Sequence, residues 1–263
     1  MGASAAAAAA IFAACVGDDP ATTVSSAADS GADTGTAETG TGPVDAAVAN
    51  DAGVNSTCKT MFPNADFCDD FDNGIKPVWS QVKTNGQLAV VTSPHVSAPN
   101  ALSALTTVPT TSSNANATLT ATIATAGATE FTLDVRVQQL ASSVRNVNSS
   151  PIAIQLTVGT VAKVVLQPRT ELGTVACVTT GAQLGGFGND LPFAVGAWHH
   201  VVLKAVAAGG GSVNVSCDVD GTTLSATVTD SILADATALV GLVAFDGQGP
   251  LSLLYDDVVF DAK

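Results

Sequence analysis

From about residue 58 onward the chain breaks into a dozen short runs of β-branched and small residues, divided by turn signals and never by a helical pattern. The clearest run is Glu130–Leu140. There Phe131, Leu133, Val135 and Val137 alternate with Thr132, Asp134, Arg136 and Gln138, the period of two expected of a half-buried strand. The other runs are Gln87–Val91, Ala101–Thr107, Ala117–Ile123, Ile152–Thr157, Val161–Gln167, Thr174–Thr180, Trp198–Val206, Ser212–Asp218, Thr222–Thr229, Leu239–Phe245 and Leu253–Phe260. Strands at this spacing predict an all-β, antiparallel two-sheet jelly-roll sandwich. Asp220-Gly221 between two alternating runs suits a two-residue hairpin. Gly209-Gly210-Gly211 marks another turn, and the stretch from Gly185 to Asp190 a longer loop. Only 12% of the residues are charged, which argues against exposed helix faces.

The first residues are of a different kind. Ala5 to Ala14 form an uncharged apolar run ending Ile11-Phe12-Ala13-Ala14-Cys15. Its length is that of a signal-peptide core and too short to span a bilayer. Small residues before a cysteine resemble the cleavage box of bacterial lipoproteins, although Phe12 stands where leucine is usual and no Lys or Arg precedes the run. The resemblance implies lipidation of Cys15 and a membrane-anchored lipoprotein at the cell envelope or surface. Without it, the segment reads as an ordinary secretory signal. Residues 16–57 are rich in Ala, Thr, Ser, Gly and Asp and hold no aromatic, Lys or Arg residue. Such a segment cannot bury enough apolar surface to offset its ordering entropy, so a disordered acidic linker is expected. The domain would then occupy residues 58–263.

An exported chain folds where disulfides persist. Apart from Cys15, four cysteines remain, Cys58, Cys68, Cys177 and Cys217. Three pairings are open, of which Cys58–Cys68 with Cys177–Cys217 is the simplest; free buried thiols are the other reading. No CxxC spacing is present to suggest zinc. With 9 Lys and Arg against 23 Asp and Glu, the formal charge is −14, and no basic cluster could offset it against a phosphate backbone. Nucleic acid is excluded as a partner.

The order Phe67-Cys68-Asp69-Asp70-Phe71-Asp72-Asn73-Gly74, then Trp79, then Ser97-Ala98-Pro99-Asn100-Ala101-Leu102, resembles exported proteins with a laminin G-like, concanavalin A-like domain. Gly196-Ala197-Trp198-His199-His200-Val201-Val202-Leu203, the later Val219-Asp220-Gly221 and the closing Tyr255-Asp256-Asp257-Val258-Val259-Phe260 are similar to later strands of that superfamily. The resemblance covers roughly residues 66–261. It implies a jelly roll whose relatives commonly bind carbohydrate, while some are glycoside hydrolases or polysaccharide lyases. It also implies that Trp79 and Trp198 are core residues.

The candidate sites follow from residue chemistry. If the first and last strands meet, Asp70 and Asp72 approach Asp256 or Asp257, and clustered carboxylates could take up calcium. The competing reading is that they accept backbone N–H groups at strand ends. Strict alternation would send Asp256 and Asp257 to opposite faces. His199 and His200, adjacent on a strand, cannot easily share a metal. The Glu-x-Asp-x-x-Glu pattern of retaining hydrolases of this fold is missing, and Tyr255 is the sole tyrosine available for lyase chemistry. Phe187 and Phe193, near the glycine-rich loop, are the candidates for exposed, sugar-stacking rings. The leading expectation is a non-catalytic envelope module, binding polysaccharide or another cell-envelope glycan. The alternatives are a divergent hydrolase or lyase and a purely structural envelope lipoprotein.

Overall fold

The computed structural model describes residues 57–107, 114–124, 127–142, 151–169, 173–179, 182–184, 189–245 and 250–263, all within the compact unit Asp51–Lys263. The leader with Cys15, the linker as far as residue 56, and Phe187 lie outside the described residues.

A short helix, α1 (Thr57–Met61), precedes sixteen described strands. In chain order these are β1 (Phe67–Asp69), β2 (Ser80–Thr84), β3 (Gly86–Val91), β4 (Ala101–Thr106), β5 (Ala115–Ala124), β6 (Glu130–Ser142), β7 (Ile152–Gly159) and β8 (Lys163–Arg169). They continue as β9 (Thr174–Thr179), β10 (Ala182–Gln183), β11 (Leu191–Pro192), β12 (Trp198–Gly209), β13 (Ser212–Val219), β14 (Thr222–Thr229), β15 (Ile232–Ala244) and β16 (Leu251–Ala262). Sheet A runs β14-β13-β12-β6-β16-β4-β3 with β1 added on β16; sheet B runs β10-β9-β8-β7-β15-β5-β2 with β11 added on β9. The pairings are antiparallel, and the architecture is the expected jelly-roll sandwich.

The alternation read in the sequence sorts the two faces of each sheet. Phe131, Leu133, Val135 and Val137 of β6 are fully buried, as are Val201 and Leu203 of β12. Opposite them, sheet B contributes smaller side chains: Ala117, Leu119 and Ala121 from β5, and Ala236, Ala238 and Val240 from β15. Alanine at so many facing positions lets the sheets pack closely while the larger Phe, Leu and Tyr side chains fill the remaining space. Cys177 of β9 and Cys217 of β13 are bonded across the sandwich, joining sheet B to sheet A, and Cys58 is bonded to Cys68 beside β1.

One buried side chain connects the sheets by hydrogen bonds. Tyr255 of β16 crosses the core, and its hydroxyl donates to the carbonyls of Ala153 (3.1 Å) and Gly241 (2.9 Å), both in sheet B. Those carbonyls lie where the β15–β7 register shifts, between Val240 and Val243. Gly241 sits there at φ +123°, and a Cβ on it would collide with the Ala117 carbonyl oxygen. Glycine is thus required by both conformation and contact. Burial pushes the Tyr255 phenol well above its usual range, against the bond to Gly241, which pulls it down.

Candidate functional site

The terminal strands meet. Phe67, Cys68 and Asp69 pair with Phe260, Val259 and Val258. This brings the two acidic segments into one buried seam, although alternation along β16 does not survive there. The register against β6 shifts between Asp256 and Val259, and Asp257 takes φ +48°. Tyr255 and Val258, three apart, both enter the core. Asp256 therefore faces Arg136 on the outer side of sheet A, and the bulge turns Asp257 to the same side, where it senses Asp70, Arg136 and Asp134. The opposite-face expectation for Asp256 and Asp257 is corrected by this bulge, which no glycine announces.

Most of these carboxylates are engaged by local donors. Asp256 Oδ2 accepts the N–H groups of Val96 (2.7 Å) and Ser97 (2.9 Å); its Oδ1 accepts the Ser97 hydroxyl and the Asp257 N–H. Asp69 accepts the Phe71 N–H and the indole N–H of Trp79, at 2.7 Å. Asp70 accepts from the backbone of Cys58 and Asp72, and Asp72 from Asn100. Asp257 Oδ1 is different: it is buried without a hydrogen-bond partner among the described residues. Burial raises the carboxyls of Asp69, Asp72 and Asp257 above the usual range. Asp256 is pushed up to about 6, by burial first and by repulsion from Asp257, against the bonds from Val96 and Ser97. Among the described residues no group of three His, Cys, Asp or Glu side chains is arranged to hold a metal ion.

The histidines are engaged separately. His199 places Nδ1 2.6 Å from Asp220 Oδ2 and Nε2 3.1 Å from the Ala194 carbonyl, while His200 Nε2 lies 2.7 Å from Asp134 Oδ1. Burial would raise Asp220, but the His199 side chain and the His200 N–H hold it below the usual carboxylate range. Phe193 stacks on His199 with centroids 4.1 Å apart and is fully buried. The reading of Phe193 as an exposed sugar-stacking ring is therefore corrected: the turn after β11 folds its side chain inward. Trp79 lies in the core, whereas Trp198 is half-buried on the outer side of sheet A, opposite Gln138.

The two outer faces differ in character. Across sheet B, Thr122, Thr237, Thr157 and Lys163 stand in register on four adjacent strands. A second row holds Ser80, Thr120, Leu239, Gln155, Val165 and Val178. Neither row contains a carboxylate. Across sheet A one row holds Asp261, Thr132, Lys204, Ser216 and Ser225, and the next Val259, Asp134, Val202, Asp218 and Thr223. The rows on sheet A thus carry acidic side chains that those on sheet B do not. These rows escaped sequence reasoning because they need cross-strand register, which alternation within one strand does not supply.

No family model and no curated protein matches the sequence. Solved structures do. The endo-β-1,4-glucuronan lyase of the fungus Trichoderma reesei superposes with a TM-score of 0.52 at 16% identity, over 76% of this chain and 96% of that one. The cellulose induced protein Cip1 gives a TM-score of 0.54 at 10% identity, over 75% of this chain and 98% of that one. At such identities the likeness shows a shared fold.

Proposed function

We propose that this chain is an exported, non-catalytic carbohydrate-binding module that holds a polysaccharide or cell-envelope glycan on the outer face of sheet B. The observation that carries the reading is the threonine and glutamine array in register across that face. Hydroxyl and amide groups both donate and accept, as sugar hydroxyls do. Neither of these two rows carries a carboxylate, which avoids the cost of stripping water from unpaired charge there. Two disulfides suit an oxidising compartment, and lipidation at Cys15 would tether the module to the envelope. Similarity of fold to a glucuronan lyase supports a carbohydrate setting, while fold alone does not assign chemistry. Tyr255, the residue a lyase reading would need, is instead committed to two core carbonyls.

A glycan array combined with a reducing-end assay tests this. Binding without product is expected, and Gln155→Ala with Thr157→Ala should weaken it five- to tenfold, about 1–1.4 kcal/mol. The alternative, cleavage by a divergent hydrolase or lyase, would draw on Lys163, the only ionisable side chain in the two rows, and new reducing ends would establish it. A blank array would favour a structural envelope protein.

The acid seam supports a proposed calcium ion. Asp257 Oδ1 is a buried carboxylate oxygen without a hydrogen-bond partner among the described residues, near Asp70, Asp72 and Asp256, although no three of these acids converge on one point. Calcium would complete its shell there with carbonyl and water oxygens.

A further inference from the structure

We propose that the cavity between the Met61–Ala65 segment and the outer face of sheet A is a second binding site, for a single sugar ring presenting hydroxyl or ammonium donors. The site is separate from the face of sheet B and does not depend on it.

The cavity encloses about 430 Å3, within the range of small-ligand sites. Its wall is preformed. The Cys58–Cys68 bond closes the segment, the Phe62 N–H donates to the Cys58 carbonyl, and the Ala65 N–H donates to the Phe62 carbonyl. Phe62 and Ala65 also pack against Cys58, Cys68 and Val259. Met61 remains 52% exposed on this wall, so it offers uncovered apolar surface to a ligand.

The floor is polar, with its charged groups fixed. Asp134 Oδ1 is held by His200 Nε2 at 2.7 Å, and Asp261 Oδ2 by Lys263 Nζ at 2.6 Å. Each carboxylate keeps one oxygen without a partner among the described residues. Asp134 faces Val259, and Asp261 faces Thr132. The two acids are thus diagonal neighbours on paired strands, with a separation of roughly 7–8 Å. One ring can reach both. An apolar wall opposite two free acceptor oxygens matches the two chemistries of a sugar ring, its C–H face and its donor edge. Two carboxylates against one lysine disfavour an anionic sugar and favour an aminated one.

Isothermal titration and amide chemical-shift mapping of the full chain with D-glucosamine, D-glucose and D-glucuronate test the assignment. The expected order is glucosamine, then glucose, with no binding of glucuronate, and with shifts at Thr132 and Asp261. Asp261→Asn should weaken glucosamine at least fivefold, and Met61→Ser, at an exposed position, should weaken both binding sugars. Gln155→Ala with Thr157→Ala should leave this binding unchanged, so failure of the sheet B reading is recognised separately. Equal binding of the three sugars, no binding at millimolar concentration, or undiminished affinity in Asp261→Asn would overturn the proposal.

Discussion

Replacing Tyr255 by Phe removes one oxygen and leaves the ring, so the change isolates a single polar group. The hydroxyl is fully buried and serves two carbonyls, of Ala153 and Gly241, in the opposite sheet. No cavity opens beyond the hydroxyl itself. The loss comprises a hydrogen bond worth about 0.5–1.5 kcal/mol plus part of the roughly 1–3 kcal/mol of leaving a buried acceptor unpaired. The sum expected is about 2 kcal/mol. For a domain of this size each kcal/mol moves Tm by about 2–4 °C, so Tm should fall by roughly 4–8 °C. Urea unfolding should show a lower midpoint with an unchanged slope, because the buried area is preserved. A Tm within a degree of the parent would refute the bridging role. The same residue supports an optical check, since it is the only tyrosine in the chain. The folded phenol is raised above its unfolded value near 10. Its contribution is therefore complete below that pH and lost as pH rises above it. Tyrosinate absorption should appear together with alkaline unfolding and not before it; an earlier, independent rise would contradict the burial.

Cys177→Ala with Cys217→Ala opens a loop of sequence separation 40 and should cost about 4 kcal/mol, against about 3 for the Cys58–Cys68 pair; thermal unfolding of both double variants checks the order. Gly241→Ala should destabilise more than an ordinary exposed substitution, because its Cβ meets the Ala117 carbonyl; soluble expression with parental Tm would contradict this. Asp256, pushed up to about 6 in the fold, favours its protonated form, so its contribution is full below about pH 4 and is lost as pH rises through about 6. In EDTA, Tm should fall across that window, and added calcium should restore it at pH 7; a flat pH response together with no calcium effect would remove both the burial and the ion.

The strands were legible where side chains alternate between water and core, as in Glu130–Leu140 and Ser212–Asp218. Ser80–Thr84 was missed because all five of its residues are exposed, leaving no contrast to read. β15 begins at Ile232 and not at Leu239, since Ala236 and Ala238 carry too little apolar surface to announce an inward face. The meeting of the acidic segments could be anticipated from the pairing of first and last strands. The bulge at Asp257 could not, because its positive φ falls on a residue with no local signal. Phe193 was misjudged for a related reason. Proximity to glycines suggested exposure, but the stacking partner, His199, arrives from a different strand. The threonine rows are a property of register between strands, and register is settled by the whole sheet.

The pairing of β1 with β16 also decides how the domain answers to tension between its ends. Phe67 lies opposite Phe260, so both ends of the chain leave from the same end of this two-strand ladder. Pulling them apart opens the hydrogen bonds in succession, as a zip opens, and does not slide the strands past each other. With Cys58 and Cys68 bonded, the pull bypasses the intervening residues and reaches β1 at Cys68, one residue from its far end. Reduction of that bond releases a segment of sequence separation 10 whose ends are 6.0 Å apart, roughly 30 Å of slack at full extension. The same thiol chemistry therefore sets the reach of the domain as well as its cohesion.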